Sequence, residues 1–250
     1  MTRRRWIADE FSDDKAWLLG QNAAHLARVL RARAGQEFDI VCGEGLRRGT
    51  IVSVSGERVE FSLGETLVDK ALLDKAGLDK AREGGREREI VLVTAIYKFD
   101  RMEWAIEKCT ELGVTRIVPV IARRTDTHLA AGAGKRVERW RRIAHEAAQQ
   151  SRRLAPPQID EAVKLREALT LEVSTRLLLN ENEKRNNFRD ALTGAAGGVA
   201  FAVGPEGGWT GEEVAEFAAA GWRSVTLGAT ILRAETAAVA ALAAAAAILD

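Results

Sequence analysis

The sequence predicts an α/β protein with a mainly parallel sheet in its C-terminal part and a small β-barrel with edge helices in its N-terminal part. Two observations carry this prediction. From residue 89 onward, continuous apolar runs alternate with helical patterns, as expected for parallel strands that helices cover on both faces. Before residue 65, short segments alternate apolar and polar residues between glycine-containing turns, which is typical of half-buried strands.

The N-terminal part begins with one helix, expected over about 22–32. Strands are expected over 37–42, 49–54 and 58–63, and the turns that separate them carry Gly43, Gly45 and Gly56. Glycines between alternating runs mark tight turns, so these strands are expected to pair as neighbours.

The composition changes after about residue 66. Asp-Lys-Ala recurs at 69–71, 74–76 and 79–81, and Gly84-Gly85 follows within further charged residues. Low-complexity sequence of mixed charge buries little apolar surface and is typical of a linker. We therefore predict a barrel domain over 1–68, a charged linker over 69–88 and an α/β domain over 89–250.

The C-terminal part alternates strands and helices. Strands are expected over 90–96, 116–122, 175–179, 199–203 and 223–227, and helices over 100–112, 135–151 and 234–249. Thr210-Gly211-Glu212-Glu213 forms a capping box that predicts the start of a further helix. This order of elements favours a parallel sheet with crossover helices.

The bulk properties exclude several classes of protein. The N-terminus has no apolar segment of the kind found in signal peptides, and the apolar run over 237–249 is too short to span a bilayer. Cys42 and Cys109 are isolated, which favours reduced thiols and a cytoplasmic protein. No cysteine or histidine pair has metal-ligand spacing, so the sequence predicts no metal site.

The net charge of +1 is unevenly distributed. The segment 116–153 contains ten Lys/Arg against three Asp/Glu, whereas 204–250 contains two Arg against six acids. A basic segment in a nearly neutral protein indicates a polyanionic partner on one face, and a solvated helix face is the alternative interpretation.

Two glycine-containing loops carry the functional signal. Gly204-Pro205-Glu206-Gly207-Gly208-Trp209-Thr210 and Leu227-Gly228-Ala229-Thr230-Ile231-Leu232-Arg233 each follow an expected strand and lead into an expected helix. Loops after parallel strands meet at one edge of the sheet, where open α/β folds bind ligands. A pocket lined by backbone is the prediction; a tight turn before a capped helix is the alternative for either loop alone.

Other nucleotide and hydrolase motifs are missing. Ala131-Gly132-Ala133-Gly134-Lys135-Arg136 lacks the glycine offset and the Ser/Thr of a phosphate loop, and no dinucleotide G-x-G-x-x-G follows the first strand of the sheet. The chain also has no G-x-S-x-G nucleophile elbow.

The motifs together resemble the ribosomal RNA small subunit methyltransferase E family, within the SPOUT (trefoil-knot) methyltransferases. The resemblance rests on 204–208, on Ile231-Leu232-Arg233 with Glu235-Thr236-Ala237, on 107–114, on 146–151 with Arg153 and Pro157, and on 25–35. It extends in order over nearly the whole chain. The segment 66–88 is longer than the family pattern, and Gln149 replaces a common acid.

The resemblance implies a PUA-like RNA-binding barrel followed by a SPOUT domain with a trefoil knot. It implies S-adenosylmethionine as methyl donor and N3 of a 16S rRNA uridine, within the 30S subunit or its late precursor, as acceptor. It also implies a homodimer. The competing interpretations are another SPOUT RNA methyltransferase, acting on a ribose 2′-hydroxyl, and a non-catalytic RNA-binding assembly factor.

Candidate site residues follow from the motifs and the resemblance. Arg233 is the candidate for stabilising a uridine anion, and either Glu206 or Glu235 for removing its proton, although each glutamate could instead cap a helix or hold Arg233. The expected cofactor-binding residues are Leu179, Asn180, Gly204, Pro205, Gly207, Gly208, Leu227, Gly228, Ile231 and Leu232. The expected RNA-binding residues are Arg3, Arg4, Arg31, Arg123, Arg124, Arg152 and Arg153. Trp6, Trp17 and Trp140 could stack on a base, but core positions are the favoured interpretation for them.

Overall fold

The computed structural model describes residues 5–43, 45–68 and 88–249. These residues form two compact units. The first holds the described residues up to 68 together with Ala148–Ala155, and the second holds 88–147 and the residues from Pro156 onward. The predicted linker over 69–88 lies, except for Arg88, outside the described residues, and the predicted domain limits stay a prediction. The assignment of Ala148–Ala155 to the first unit had no signal in the sequence.

The first unit is built on a six-stranded sheet in the order β1-β4-β5-β6-β3-β2. The strands β1 and β4 pair in parallel, and the other neighbours are antiparallel. A short helix α1 (Gly20–Ala24) continues as a π-helical turn over His25–Val29. The strands are β1 (Arg5–Ile7), β2 (Glu10–Phe11), β3 (Lys15–Leu19), β4 (Glu37–Cys42), β5 (Gly45–Val54) and β6 (Arg58–Val68).

The three predicted N-terminal strands are confirmed as β4, β5 and β6, of which the last two are longer than expected. The strands β1, β2 and β3 were missed because they are only two to five residues long, so alternation had too few residues to show. The closed barrel stays a prediction.

The core of the first unit depends on close packing between neighbouring strands. Ile40 and Phe61 are fully buried in it. The Gly49 backbone packs against both side chains, and a Cβ at Gly49 would stand 2.4 Å from Ile40 Cγ1. Only glycine fits at this point of β5 without a shift of the core.

The second unit contains a seven-stranded sheet in which every pair is parallel. Its main path has the order β10-β8-β7-β12-β11-β13, and β9 pairs with β8 beside it. The strands are β7 (Ile90–Ala95), β8 (Arg116–Ile121), β9 (Gln158–Ile159), β10 (Val163–Lys164), β11 (Thr175–Leu179), β12 (Val199–Val203) and β13 (Arg223–Val225).

Helices cover both faces of this sheet. They are α2 (Phe99–Glu111), α3 (Thr127–Gly132), a 3₁₀ turn (Ala133–Arg136), α4 (Val137–Gln150), α5 (Leu165–Ala168), α6 (Phe188–Leu192), α7 (Gly211–Ala219) and α8 (Ala234–Leu249). Among the described residues, no helix is long and apolar enough to cross a bilayer.

Successive strand residues point to opposite faces, and this alternation divides the core into two layers. Leu92, Leu177 and Phe201 contribute to the layer with α2, α4, α6 and α8. Val93 and Ala202 contribute to the opposite layer, with α5 and α7. The predicted α/β fold with a mainly parallel sheet is thereby confirmed.

The predicted strand over 223–227 ends at Val225, earlier than expected. Thr226 and Leu227 belong instead to the loop, where the Thr226 hydroxyl accepts from the Gly228 N–H at 3.2 Å. Because β13 is shorter than predicted, the loop after it gains two residues. This loop lies at the edge of the sheet where the pocket is predicted.

Gly49→Ala is expected to lower the free energy of unfolding by about 1–3 kcal/mol, because the added methyl group overpacks the Ile40 side chain. The control is Gly64→Ala in β6, where the nearest atom, the Arg48 carbonyl oxygen, would lie 3.7 Å from the new Cβ. This control should change stability by less than about 1 kcal/mol. Urea unfolding monitored by circular dichroism measures both, and equal losses would contradict the packing argument.

Candidate functional site

A cavity of about 370 Å³ opens at the carboxyl edge of the parallel sheet of the second unit. The loops that follow β11, β12 and β13 line it, because parallel pairing brings the carboxyl ends of these strands to one edge. They contribute Leu179–Asn182 with Lys184, then Gly204–Glu206 with Gly208 and Trp209, and the continuous segment Val225–Ala234. Arg101 of α2 adds to the wall.

Nine of the ten expected cofactor-binding residues line this one cavity. The exception is Gly207, which does not line it. Its carbonyl oxygen accepts a hydrogen bond from the Arg124 guanidinium, so this residue joins its loop to the segment after β8. The structure thus brings together residues that are up to 53 positions apart in the sequence; that they bind a cofactor stays a prediction.

The loop after β12 folds back on itself through Gly204 and Trp209. A Cβ at Gly204 would lie 3.2 Å from Trp209 Nε1 and 3.3 Å from the Trp209 backbone nitrogen. The Trp209 ring packs edge-on against Phe217 of α7, with ring centroids 4.9 Å apart. The indole is therefore fixed from behind, and its N–H is buried without a hydrogen-bond partner in the described part of the chain.

The capping box at the start of α7 fixes the end of the same loop. The Thr210 hydroxyl accepts from the Glu213 N–H at 3.2 Å, and Glu213 Oε2 accepts from the Thr210 N–H at 2.8 Å. Glu213 is 1% exposed, and its other oxygen accepts from the Arg123 N–H at 2.7 Å. A fully hydrogen-bonded buried carboxylate thus ties the loop after β8 to the loop after β12.

Glu206 lines the cavity but also caps a helix. Its Oε1 atom accepts from the backbone N–H of Lys98, the N-cap residue of α2, at 3.4 Å. A carboxylate at a helix N-terminus is favoured by the helix dipole. Helix capping, one of the roles considered for Glu206 from the sequence, is therefore present in the structure.

Arg233 and Glu235 flank the start of α8 in different environments. The Arg233 carbonyl accepts from the Ala237 N–H at 2.8 Å, which places this residue at the N-cap position, and its side chain is exposed at the cavity. Glu235 is 8% exposed and does not line the cavity. Its carboxylate pairs with Arg101 of α2 at 3.7 Å.

Residues 85–246 match the family model of the RNA methyltransferase domain. The ribosomal RNA small subunit methyltransferase E of Mycobacterium bovis is 31% identical over 243 residues, which cover 89% of this chain and 82% of that protein.

This chain belongs to the ribosomal RNA small subunit methyltransferase E family. The resemblance stated from the motifs is thereby confirmed.

The Rickettsia conorii member of the family is 36% identical over 62% of this chain, and the match spans 62% of that protein's length. The Synechocystis member is 38% identical, and its match spans about half of its length (52%) and 62% of this chain. A crystal structure of the Neisseria gonorrhoeae member bound to S-adenosylmethionine has a TM-score of 0.76 and 29% identity, with 97% of this chain and 96% of that chain covered. A Legionella pneumophila structure with bound S-adenosylmethionine has a TM-score of 0.83 and 25% identity, covering 99% and 98%.

Three charged cavity residues of this family member were missed by sequence reasoning: Arg101, Glu181 and Lys184. A signal existed for Arg101, since it stands in the first turn of a helix that directly follows the buried strand β7. The polar run at 180–184 gave no periodicity, so its contribution depends on the tertiary structure.

The pKa values of three buried groups, one tyrosine and two cysteines, limit which of them can act as bases. Burial raises the pKa of the Tyr97 hydroxyl above its usual range, and nearby Cys109, Glu235 and Glu206 act in the same direction. Burial also raises the pKa of Cys109 to about 12 and that of Cys42 to about 11. These three groups therefore stay neutral at neutral pH.

The expected RNA-binding residues divide between the two units. Arg31 and Arg152 are exposed in the first unit, both with left-handed backbone at φ 50° and 63°. In the second unit, Arg123 pairs with Glu216 at 3.2 Å, and Arg124 donates to Gly207 as described. The Arg153 N–H donates to the Ala148 carbonyl at 2.9 Å. Arg3 and Arg4 lie outside the described residues.

The tryptophans considered for base stacking have mostly core positions. Trp6 and Trp140 are 6% and 0% exposed, which confirms the favoured interpretation for both. Trp17 is half-buried, and the Arg58 guanidinium lies 5.1 Å from its ring centroid. Over the described ranges, no group of three His, Cys, Asp or Glu side chains could hold a metal ion.

Thr210→Ala is expected to lower the free energy of unfolding by about 1 kcal/mol, because the Glu213 N–H loses its acceptor at the start of α7. Thr210→Ser keeps the hydroxyl and should retain most of the stability. Urea unfolding compares the two variants. A Ser variant as unstable as the Ala variant would show that the methyl group, rather than the cap, carries the effect.

Proposed function

We propose that this protein uses S-adenosylmethionine to methylate N3 of a uridine in 16S rRNA of the small ribosomal subunit. One observation carries the proposal. Nearly all the residues expected to bind the donor line one cavity at the carboxyl edge of the sheet, in a chain that matches the S-adenosylmethionine-bound Neisseria structure over almost its whole length.

The cavity suits an adenosyl ligand in size and chemistry. Its volume of about 370 Å³ lies in the range of small-molecule sites. Leu179, Leu227 and Leu232 offer apolar surface for a purine, while the glycine loops expose backbone donors and acceptors. Trp209 also lines the cavity.

S-adenosylmethionine, when bound, supplies a methyl group on a positively charged sulfur. The protein then has to align the acceptor nitrogen and help it lose its proton. Arg233 is suited to the second task, because its exposed guanidinium at the cavity can stabilise negative charge on a uridine oxygen. Tyr97 is a poor proton acceptor, since burial keeps its hydroxyl neutral.

Of the two candidate bases, Glu206 is the better placed. It is exposed and lines the cavity, whereas Glu235 is buried and paired with Arg101. We propose Glu206 as the group that accepts the N3 proton, directly or through water. Its hydrogen bond from the Lys98 N–H, at 3.4 Å, is long enough to be exchanged without loss of the helix.

We propose that the first unit is a PUA-like barrel that binds RNA and that the second unit contains the SPOUT trefoil knot. The exposed Arg31 and Arg152 support phosphate contacts on the first unit, and Arg123 and Arg124 support them on the second. The 30S subunit or its late precursor is the proposed form of the substrate, and the proposed location is the cytoplasm, where that particle is assembled.

A homodimer is the proposed assembly. Trp104 on α2 is 46% exposed, although the neighbouring Met102, Ala105 and Ile106 are buried. An exposed tryptophan on a helix that otherwise packs inward is typical of an interface anchor. We propose that a second copy of the chain covers it.

The test of the function is methylation of purified 30S subunits and of naked 16S rRNA with labelled S-adenosylmethionine, followed by nucleoside analysis. The expected product is 3-methyluridine, formed on the particle. A 2′-O-methylated nucleoside would overturn the base-methylation proposal in favour of a ribose-modifying enzyme. Absence of S-adenosylmethionine binding at micromolar concentrations would favour a non-catalytic RNA-binding factor.

Arg233→Ala is expected to lower turnover on this substrate by about a hundredfold or more, as for loss of one charge-stabilising donor. Affinity for S-adenosylmethionine should change by less than about threefold, because the lost interaction forms with the acceptor. Single-turnover kinetics and calorimetry measure the two quantities. Arg166→Ala, at an exposed position on α5 outside the cavity, is the control. Near-normal turnover of the Arg233 variant would contradict the electrostatic role.

Trp104→Glu is expected to shift the protein from dimer to monomer, because a charge would have to be buried in the interface. Sedimentation velocity measures the change in mass. Val52→Glu, at a position 51% exposed on β5 in the first unit, introduces the same charge and should leave the dimer intact. An unchanged mass for the Trp104 variant would remove Trp104 from the interface.

A further inference from the structure

Three cationic side chains line the cavity in the described part of the chain: Arg101, Lys184 and Arg233. They differ in how firmly the protein holds them. Lys184 and Arg233 are exposed to solvent, whereas the Arg101 side chain is 31% exposed and forms an ion pair with Glu235. Of the three, Arg101 is therefore the cation that is fixed from inside the protein.

The partner of Arg101 is a buried carboxylate with few other interactions. The Glu235 side chain is 11% exposed, and its Oε1 atom lies 3.7 Å from Arg101 Nη1. Its Oε2 atom is buried and has no hydrogen-bond partner among the described residues. Its place in the first turn of α8 compensates part of the charge through the helix dipole.

The Arg101–Glu235 ion pair contributes little to the stability of the fold. Burial of an incompletely hydrogen-bonded carboxylate costs more than a distant ion pair returns. Glu213 shows the alternative within the same unit, since both of its oxygens accept backbone hydrogen bonds. The Glu235 carboxylate therefore has its main effect on Arg101, whose guanidinium it holds at the cavity wall.

We propose that Arg101 binds the carboxylate of the amino-acid part of S-adenosylmethionine and that Glu235 is a positioning residue for Arg101. The inference rests on the proposed function and names a subsite of the same cavity. A planar guanidinium that one carboxylate orients can offer its remaining N–H groups to a second carboxylate.

The cofactor carboxylate and the uridine acceptor are two sources of an anion for Arg101. The depth of Arg101 in the cavity distinguishes between them. The uridine must arrive from solvent as part of a large RNA, so its partner has to be an exposed group such as Arg233. A small ligand seated within the cavity can reach the half-buried Arg101. The two arginines thus serve different ligands, although both line the same cavity.

The test is calorimetric binding of S-adenosylmethionine and of decarboxylated S-adenosylmethionine to the full-length protein. The two ligands share the sulfonium, the adenosine and the ammonium group and differ in the carboxylate. The wild type should bind the carboxylated ligand about 10- to 100-fold more tightly, as expected for a charge-assisted hydrogen bond. Arg101→Ala should remove this preference, because only the affinity for S-adenosylmethionine falls. Arg101→Lys should restore part of the preference.

Glu235→Gln tests the positioning role. The neutral amide keeps the shape of the side chain but releases the guanidinium, so the preference for the carboxylated ligand should fall by about three- to tenfold. Affinity for the decarboxylated ligand should stay unchanged. If Glu235 had a merely structural role, Glu235→Gln would lower the affinity for both ligands equally. That result would overturn the positioning assignment.

Arg116 and Asp160 provide a matched control pair. Their side chains are 32% and 15% exposed and form an ion pair at 2.7 Å, at the start of β8 and away from the carboxyl edge. Arg116→Ala and Asp160→Asn should leave both affinities at the wild-type values.

The outcomes separate the inference from the proposed function. If the wild type binds both ligands and Arg101→Ala retains the preference for the carboxylate, the Arg101 subsite is wrong and the methyltransferase proposal stands. If the wild type binds neither ligand, the proposed function fails and the subsite fails with it. Thermal unfolding of each variant identifies any loss of affinity that comes from loss of the fold.

Discussion

Parallel pairing in the second unit is the constraint on which the site depends. Every strand of the seven-stranded sheet runs in the same direction, so the loops after β11, β12 and β13 must leave from one edge. Helices cover both faces, and the carboxyl edge is where the cavity opens. The cavity is thus a consequence of strand direction, and the loop sequences decide only its chemistry.

Two buried glutamates show how charge is used around this edge. Glu213 is fully hydrogen-bonded to backbone groups and fixes one loop relative to another. Glu235 is also buried, but its ion-pair partner Arg101 lies 3.7 Å away. The first is suited to rigidity and the second to the orientation of a functional side chain. Both belong to the first turn of a helix, where negative charge is favoured.

Motifs with local causes were predictable from the sequence. The capping box at Thr210 follows from a hydrogen-bond pattern within four residues, and β7, β11 and β12 follow from continuous apolar runs. Strands of two to five residues in the first unit were missed, since alternation needs a longer segment. The end of β13 was misplaced because the Thr226 backbone pairs with the segment around Asn187 instead of continuing the ladder with β11.

The sequence by itself determined the α/β architecture, the glycine loops and the family, because periodicity and motif spacing are local properties of the chain. Only the tertiary structure decided that Arg101 joins the cavity, that Gly207 faces Arg124 instead, and that Glu235 pairs with Arg101 and not with its neighbour Arg233. These are contacts between separate elements. The packing of α2 beside α8 sets the Arg101–Glu235 contact, and no local pattern in either helix specifies that packing.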